Sequence, residues 1–75
     1  MKINTFIDYE TAKHLFDNGI LLIKNETVNF DPKEIYFLIE DHEYNLWRIC
    51  NEEYMEHLQN NLDLDMTILH TKETP

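Results

Sequence analysis

The sequence predicts a small α+β domain with a mostly antiparallel sheet of two hairpins, about four to six strands, and two short helices. Two segments show helical spacing of apolar residues, and each follows a residue suited to an N-cap. Two further segments pair apolar runs across three-residue polar connections. With 75 residues, one Gly and two Pro, the chain has little room for linkers. We expect residues 1–70 to form a single compact domain and residues 71–75 to form a disordered tail.

The first predicted elements are an opening strand within Lys2–Ile7 and a helix over residues 9–18. Asp8 is a suitable N-cap, because its carboxylate can accept hydrogen bonds from free amides of the first turn. Asn18-Gly19 is a typical helix end. The apolar side chains at helical spacing are Tyr9, Ala12, Leu15 and Phe16.

The first predicted hairpin joins Ile20–Ile23 to Thr27–Phe30 through Lys24-Asn25-Glu26. A three-residue connection pairs Leu22 with Val28 and Ile20 with Phe30. Asp31-Pro32 then forms a turn that ends the hairpin.

The second predicted hairpin joins Glu34–Glu40 to Tyr44–Cys50 through Asp41-His42-Glu43. This register assigns the side chains to two faces. One face pairs Ile35 with Ile49 and Phe37 with Trp47, and the other pairs Leu38 with Leu46 and Tyr36 with Arg48.

A second helix is predicted after Asn51, which serves as its N-cap. Glu52 and Glu53 occupy the first turn, where the positive end of the helix dipole favours carboxylates. The buried stripe is Tyr54, Met55 and Leu58, and the outward residues are Glu52, Glu56 and Asn60. A last short strand is predicted at Met66–His70.

The formal net charge is −9, and most of it falls between residues 40 and 65. That segment has eight acidic residues against Arg48 alone, which gives −7. Such a chain is poorly suited to binding nucleic acid through phosphates, which requires Lys and Arg. We therefore expect an acidic surface complementary to a basic groove, with a merely solubilising surface as the alternative.

The predicted second face of the sheet combines Tyr36, Leu38, Tyr44 and Leu46, and its exposed aromatic residues would serve as anchors beside the carboxylates. Two alternatives would cover that face instead: one helix on each side of the sheet, or a second copy of the chain. The predicted partner-binding residues are Glu40, Asp41, Glu43, Tyr44, Glu52, Glu53, Glu56, Asp63, Asp65, Tyr36 and Leu46.

Metal and catalytic interpretations receive little support from the sequence. Glu53 and His57 can share a helix face, and Asp63 and Asp65 can both face a hard cation, but neither pair forms a recognised metal motif. The remaining histidines, His14, His42 and His70, form no motif either. The single Gly cannot build a phosphate-binding loop. We expect no enzyme activity, no cofactor and no metal.

Cys50 is the single cysteine, so no disulfide can form within the chain, which favours a reducing compartment. Its position at the end of a predicted strand favours packing over nucleophilic chemistry. The longest apolar runs, Ile20–Ile23 and Ile35–Ile39, are far shorter than the ~20 residues needed to span a bilayer. We expect a cytoplasmic protein with no membrane contact.

In size, acidity and lack of catalytic motifs, the chain resembles small bacteriophage inhibitors such as anti-CRISPR proteins and other nucleic-acid mimics. This resemblance in composition implies a protein that masks a basic, nucleic-acid-binding partner. One alternative is a small obligate homodimer with a structural or accessory role. Another is an antitoxin or immunity protein that neutralises a nuclease.

Overall fold

The computed structural model describes residues 3–60 and 65–73 and confirms the α+β class. The described residues form two helices and six strands. In chain order these are β1 (Ile3–Phe6), α1 (Tyr9–Asp17), β2 (Ile20–Ile23), β3 (Glu26–Asn29), β4 (Ile35–Asp41), β5 (Leu46–Asn51), α2 (Glu52–Gln59) and β6 (Met66–Glu73).

The strands form two antiparallel sheets, a four-stranded sheet in the order β1-β5-β4-β6 and the separate β2-β3 hairpin. The helix α1 and the hairpin pack on one face of the larger sheet, and α2 packs on the other. The alternative with one helix on each face is therefore confirmed. Both faces of β4 are covered, so the continuous apolar run of this strand supplies side chains to the cores on both sides.

The larger core lies between α1, the β2-β3 hairpin and the sheet. Phe30 stacks on Tyr36 with ring centroids 4.0 Å apart, and Phe16 meets Phe30 edge-on at 6.0 Å. Stacked and edge-on pairs are both common arrangements of aromatic rings in protein cores, where these large side chains bury much apolar area. The other buried members are Ala12, Leu21, Leu38 and Ile49.

The smaller core lies under α2, where Met55 packs with Ile39 and Cys50. Tyr54 and Leu58 are half-buried beside them, which confirms the predicted stripe of α2. Burial raises the pKa of the Cys50 thiol to about 12, with Arg48 lowering it slightly. A thiol that remains protonated and fully buried acts here as a small packing group.

Both predicted helix caps are confirmed. The Asp8 carboxylate accepts from the Thr11 amide at 3.3 Å, and the Asn51 side chain accepts from the Tyr54 amide at 3.0 Å. The chain leaves α1 through Gly19, whose φ of +66° lies in the left-handed region that glycine adopts without strain. The predicted first helix was one residue too long, since α1 ends at Asp17.

The predicted register of the first hairpin was wrong by one residue. Its turn contains only Lys24 and Asn25, both with positive φ, as in the type I′ turns favoured by two-residue hairpins. The shorter turn begins β3 at Glu26 rather than Thr27. The observed pairs are Leu21 with Val28 and Ile20 with Asn29, in place of Leu22 with Val28 and Ile20 with Phe30.

The predicted register of the second hairpin was also wrong. The strand β4 continues through Asp41, and β5 begins at Leu46, so the turn has four residues and includes Asn45 at φ +56°. An odd shift in register exchanges the side chains that share a face. Leu38 consequently pairs with Ile49, and Phe37 pairs with Cys50. Ile35 with Ile49, Phe37 with Trp47, Leu38 with Leu46 and Tyr36 with Arg48 are not partners.

The last strand is longer than the predicted Met66–His70. It runs through Glu73 beside β4, so Thr71–Glu73 belong to the sheet rather than to a tail, while residues 74 and 75 lie outside the described residues. Lys72 of this strand donates hydrogen bonds to the carbonyls of Phe16 at 3.3 Å and Asp17 at 2.7 Å. A cation beside the last carbonyls of α1 interacts favourably with the negative end of the helix dipole.

Candidate protein-binding surface

The four-stranded sheet has two ends that carry different groups. We call the end formed by Phe6, Asp41, Leu46 and Met66 the turn end, because the β4-β5 turn lies there. We call the opposite end, where β5 stops at Asn51 and α2 starts, the cap end. At about 3.3 Å per residue, the length of β5 places these ends roughly 17 Å apart.

The predicted acidic residues divide between these ends. Glu40, Glu43 and Asp65 lie at the turn end, where the His42 amide donates to the Asp65 carbonyl at 2.9 Å. Glu52 and Glu53 start α2 at the cap end, and Glu56 lies one turn further along α2. The start of α2 and the β4-β5 turn are therefore not neighbours. Asp63 lies outside the described residues.

Tyr36 is wrongly placed by the sequence prediction as an exposed anchor. Its side chain is 1% exposed and packs in the larger core. The hydroxyl donates to the Glu34 carboxylate at 3.2 Å and accepts from the Asp31 amide at 3.1 Å. Asn51 donates to the same carboxylate at 2.9 Å, so these polar groups link the start of β4 to the cap of α2.

Asp41 was also predicted to lie on the binding surface, yet it is 5% exposed. One carboxylate oxygen accepts from the amides of Glu43 at 3.0 Å and Tyr44 at 3.2 Å. The other accepts from Arg48 Nε at 3.1 Å and Nη2 at 3.0 Å. Asp41 therefore fixes the β4-β5 turn from inside.

Two opposing effects act on the pKa of Asp41. Burial raises it, whereas hydrogen bonds from Arg48 and the Tyr44 and Glu43 amides, together with the charge of Arg48, lower it. The lowering effects dominate, so the pKa lies below its ordinary value of 3.8. The carboxylate is consequently ionised at neutral pH despite its burial.

Three hydrogen bonds hold the guanidinium of Arg48 in this arrangement. Besides Asp41, its Nη1 donates to the Thr5 hydroxyl at 3.1 Å, which ties β1, β5 and β4 together. It is also the single Lys or Arg between residues 40 and 65. Among the described residues, no Lys or Arg forms an ion pair with the exposed carboxylates of that segment: Glu43, Glu52, Glu53, Glu56 and Asp65.

Tyr44 keeps its predicted exposure, with 63% of its surface open to solvent in the β4-β5 turn. Leu46, two residues further along the chain, is half-buried. Glu40 is half-buried, and its carboxylate lies 3.7 Å from His42 Nδ1. The other ring nitrogen of His42 lies 2.7 Å from the Thr67 hydroxyl, so this imidazole links the turn to β6.

Sequence reasoning missed the contribution of the β1-α1 connection to the turn end. Phe6 pairs with Trp47, so the connection leaves the sheet beside the start of β5. Ile7 is 85% exposed there, and Tyr9 is 36% exposed with its ring centroid 5.9 Å from that of Trp47. The sequence placed Ile7 inside a strand, and an apolar residue directly before an N-cap ordinarily packs onto the helix, so no sequence signal marked it as exposed.

The start of α1 adds two carboxylates at the turn end, the N-cap Asp8 and Glu10 of the first turn. The Thr11 hydroxyl donates to Asp8 at 2.7 Å, and this bond is the main reason that the pKa of Asp8 is lowered. Glu10 is exposed beside it. The turn end thus combines exposed apolar side chains with carboxylates from α1, the β4-β5 turn and the start of β6.

Within residues 3–60 and 65–73, no group of three or more His, Cys, Asp or Glu side chains is arranged to hold a metal ion. Neither helix described has the length and apolar character needed to cross a membrane. Comparison of the chain with protein-family models, curated proteins and solved structures found no match in any of the three.

Proposed function

We propose that this chain is a small acidic, non-catalytic binding protein that masks a basic surface on a nucleic-acid-binding partner. The observation that carries the proposal is the use of Arg48. This side chain is the one strong base between residues 40 and 65, and it forms an ion pair with the buried Asp41. The exposed carboxylates of that segment therefore present a net negative surface to a partner.

A surface of this kind suits a site that normally holds phosphates. Lys and Arg side chains bind carboxylates through the same charge-assisted hydrogen bonds that they form with phosphates. The summed negative field also accelerates the encounter with a basic partner and disfavours acidic ones. An antitoxin or immunity protein against a nuclease would use the same physics, and the identity of the partner separates the two functions.

The homodimer alternative loses the interface on which it was based. Tyr36 and Leu38 would have formed the contact between two copies, but both are buried against the packing of α1 and the β2-β3 hairpin. Only Tyr44 and Leu46 of that predicted face retain accessible surface. The acidic-surface proposal needs no residue that the fold has already covered.

The test is capture of a partner from a cell lysate on the immobilised chain at low salt. We expect a basic protein that is released by 0.5 M NaCl and also by added duplex DNA, because salt screens the attraction and DNA competes for the same groove. Retention in 0.5 M NaCl, or indifference to DNA, would contradict the proposal.

A pair of double variants tests the location of the charge. Glu43→Gln with Glu56→Gln removes two carboxylates from the acidic segment, whereas Glu26→Gln with Glu73→Gln removes two from β3 and the end of β6. Both variants have the same net charge. We expect weaker capture with the first and nearly unchanged capture with the second. Equal weakening would show that net charge alone governs binding.

A further inference from the structure

The turn end exposes apolar side chains that the fold does not use. Ile7 stands directly before the N-cap Asp8, where an apolar residue ordinarily packs onto the fourth residue of the helix, here Ala12. At 85% exposure Ile7 makes no such packing. Tyr44 is similar, since the turn is held through its amide while its ring points to solvent at 63% exposure.

A second aromatic group lies on the α1 side of the same end. The rings of Tyr9 and Trp47 meet at 57° with centroids 5.9 Å apart, which holds Tyr9 against the start of β5. Tyr9 remains 36% exposed between the carboxylates of Asp8 and Glu10 in the sequence. Glu43 immediately precedes Tyr44 in the same way. Exposed rings are therefore flanked in the sequence by carboxylates at two points of the turn end.

We propose that the turn end is the contact surface for a basic segment of the partner and that it selects arginine over lysine. This inference rests on the proposed function and adds the location and the chemistry. A guanidinium group is planar and weakly hydrated, so it can stack on Tyr44 while its N–H groups reach a carboxylate such as Glu43. Ile7 then contacts the aliphatic part of the segment.

The charge at this end identifies the occupant. A second copy of the chain, or an anionic membrane, would bring negative charge against Glu10, Glu43 and Asp65. Arg48, the strong base nearest this end on β5, is already bound to Asp41 and Thr5. An apolar centre with an acidic rim is complementary to a basic segment, and it has the arrangement of a binding hot spot.

The experiment titrates the ¹⁵N-labelled chain with nona-arginine and, separately, with nona-lysine at 0.1 M NaCl. Amide shifts locate the contact, and their concentration dependence gives Kd. We expect the largest shifts around Ile7 and Tyr44 and a Kd about fivefold lower for nona-arginine. Tyr44→Ala should weaken nona-arginine binding by about two- to fivefold, the range for an exposed cation–π contact.

Ile7→Ser should weaken both peptides, whereas Val28→Ala serves as the control, because Val28 is an exposed apolar residue on the β2-β3 hairpin. Both test residues are exposed, and the amide spectrum reports whether each variant is folded. Equal Kd values for the two peptides, with no effect of Tyr44→Ala, would overturn this inference and leave the proposed function standing. Shifts confined to the start of α2 would do the same. Failure of both peptides to bind would overturn both proposals.

Discussion

Replacing Asp41 with Asn tests whether a buried carboxylate organises the β4-β5 turn. Asn has nearly the same shape, and its amide oxygen can still accept from the Glu43 and Tyr44 amides. Its NH₂ group would then face Arg48, where one carboxylate oxygen now accepts two bonds at 3.0 and 3.1 Å. Two donors would oppose each other, and the guanidinium would keep only its bond to the Thr5 hydroxyl.

The expected cost is about 2–3 kcal/mol in the free energy of unfolding. Breaking a buried ion pair on one side typically costs ~3–5 kcal/mol, because the remaining charge has no partner. The Arg48 side chain is 22% exposed, so water offsets part of that cost. For a domain of this size, the predicted loss lowers Tm by roughly 10–20 °C.

Urea unfolding followed by the fluorescence of Trp47, the single tryptophan, measures this change. Glu43→Gln is the matched control, since it neutralises an exposed carboxylate in the same turn and should alter stability by less than about 0.5 kcal/mol. A double-mutant cycle with Arg48→Met should give a coupling energy of about 1.5–3 kcal/mol. A coupling energy near zero, or Asp41→Asn at wild-type stability, would refute the role assigned to Asp41.

Three further substitutions or conditions test the contacts that hold the fold. Since the pKa of Asp41 is lower in the folded chain than its ordinary 3.8, its contribution is complete above that value and is lost as the pH falls through the folded pKa. The free energy of unfolding of the wild type should therefore fall more steeply between pH 5 and 3 than that of Asp41→Asn. An equal fall in both proteins, measured by urea unfolding at each pH, would contradict this. Asn4→Ala removes two bonds to the Leu22 backbone, at 2.6 and 2.7 Å, and should cost about 1–2 kcal/mol while accelerating hydrogen exchange at the Leu22 amide; unchanged exchange would refute the link. Lys72→Met should cost about 1 kcal/mol in urea unfolding through the end of α1, with Lys33→Met, on an exposed turn, as the neutral control.

Local signals in the sequence were sufficient to predict the helices. Asp8 and Asn51 are short polar residues that precede segments with apolar residues at helical spacing, and both cap helices in the structure. These features depend on a few neighbouring residues, so one sequence contains the information needed. The first strand of the first hairpin, Ile20–Ile23, was predicted with its observed bounds for the same reason.

The hairpin registers could not be predicted, because apolar pattern does not fix them here. Ile35–Ile39 is apolar on both faces, so either register buries large side chains. The turn decides the pairing: Asp41 holds two turn amides, and Asn45 adopts a positive φ. The position of Asp41 depends in turn on its buried ion pair with Arg48, and these two residues meet only once the sheet has assembled.

The same contacts explain why the binding residues were partly misassigned. A carboxylate within an acidic segment is usually exposed, and Asp41 departs from that pattern because the guanidinium of Arg48, two residues along β5 from its register partner Leu46, binds it. The exposure of Ile7 was not predicted for the opposite reason, since an apolar residue within a predicted strand is usually buried. Both are exceptions to the usual relation between polarity and burial, and exceptions of this type are expected at functional or strained sites.

The buried pair and the exposed turn are connected physically. The carboxylate of Asp41 holds the amides of Glu43 and Tyr44, the two residues whose side chains we assign to the partner. A turn held in one conformation loses less entropy when a partner binds, so fixing it improves affinity without adding a contact. Asp41 is therefore a positioning residue. Its carboxylate was expected on the binding surface, and it instead lies beneath the surface that we propose for binding and orients the backbone of Glu43 and Tyr44 there.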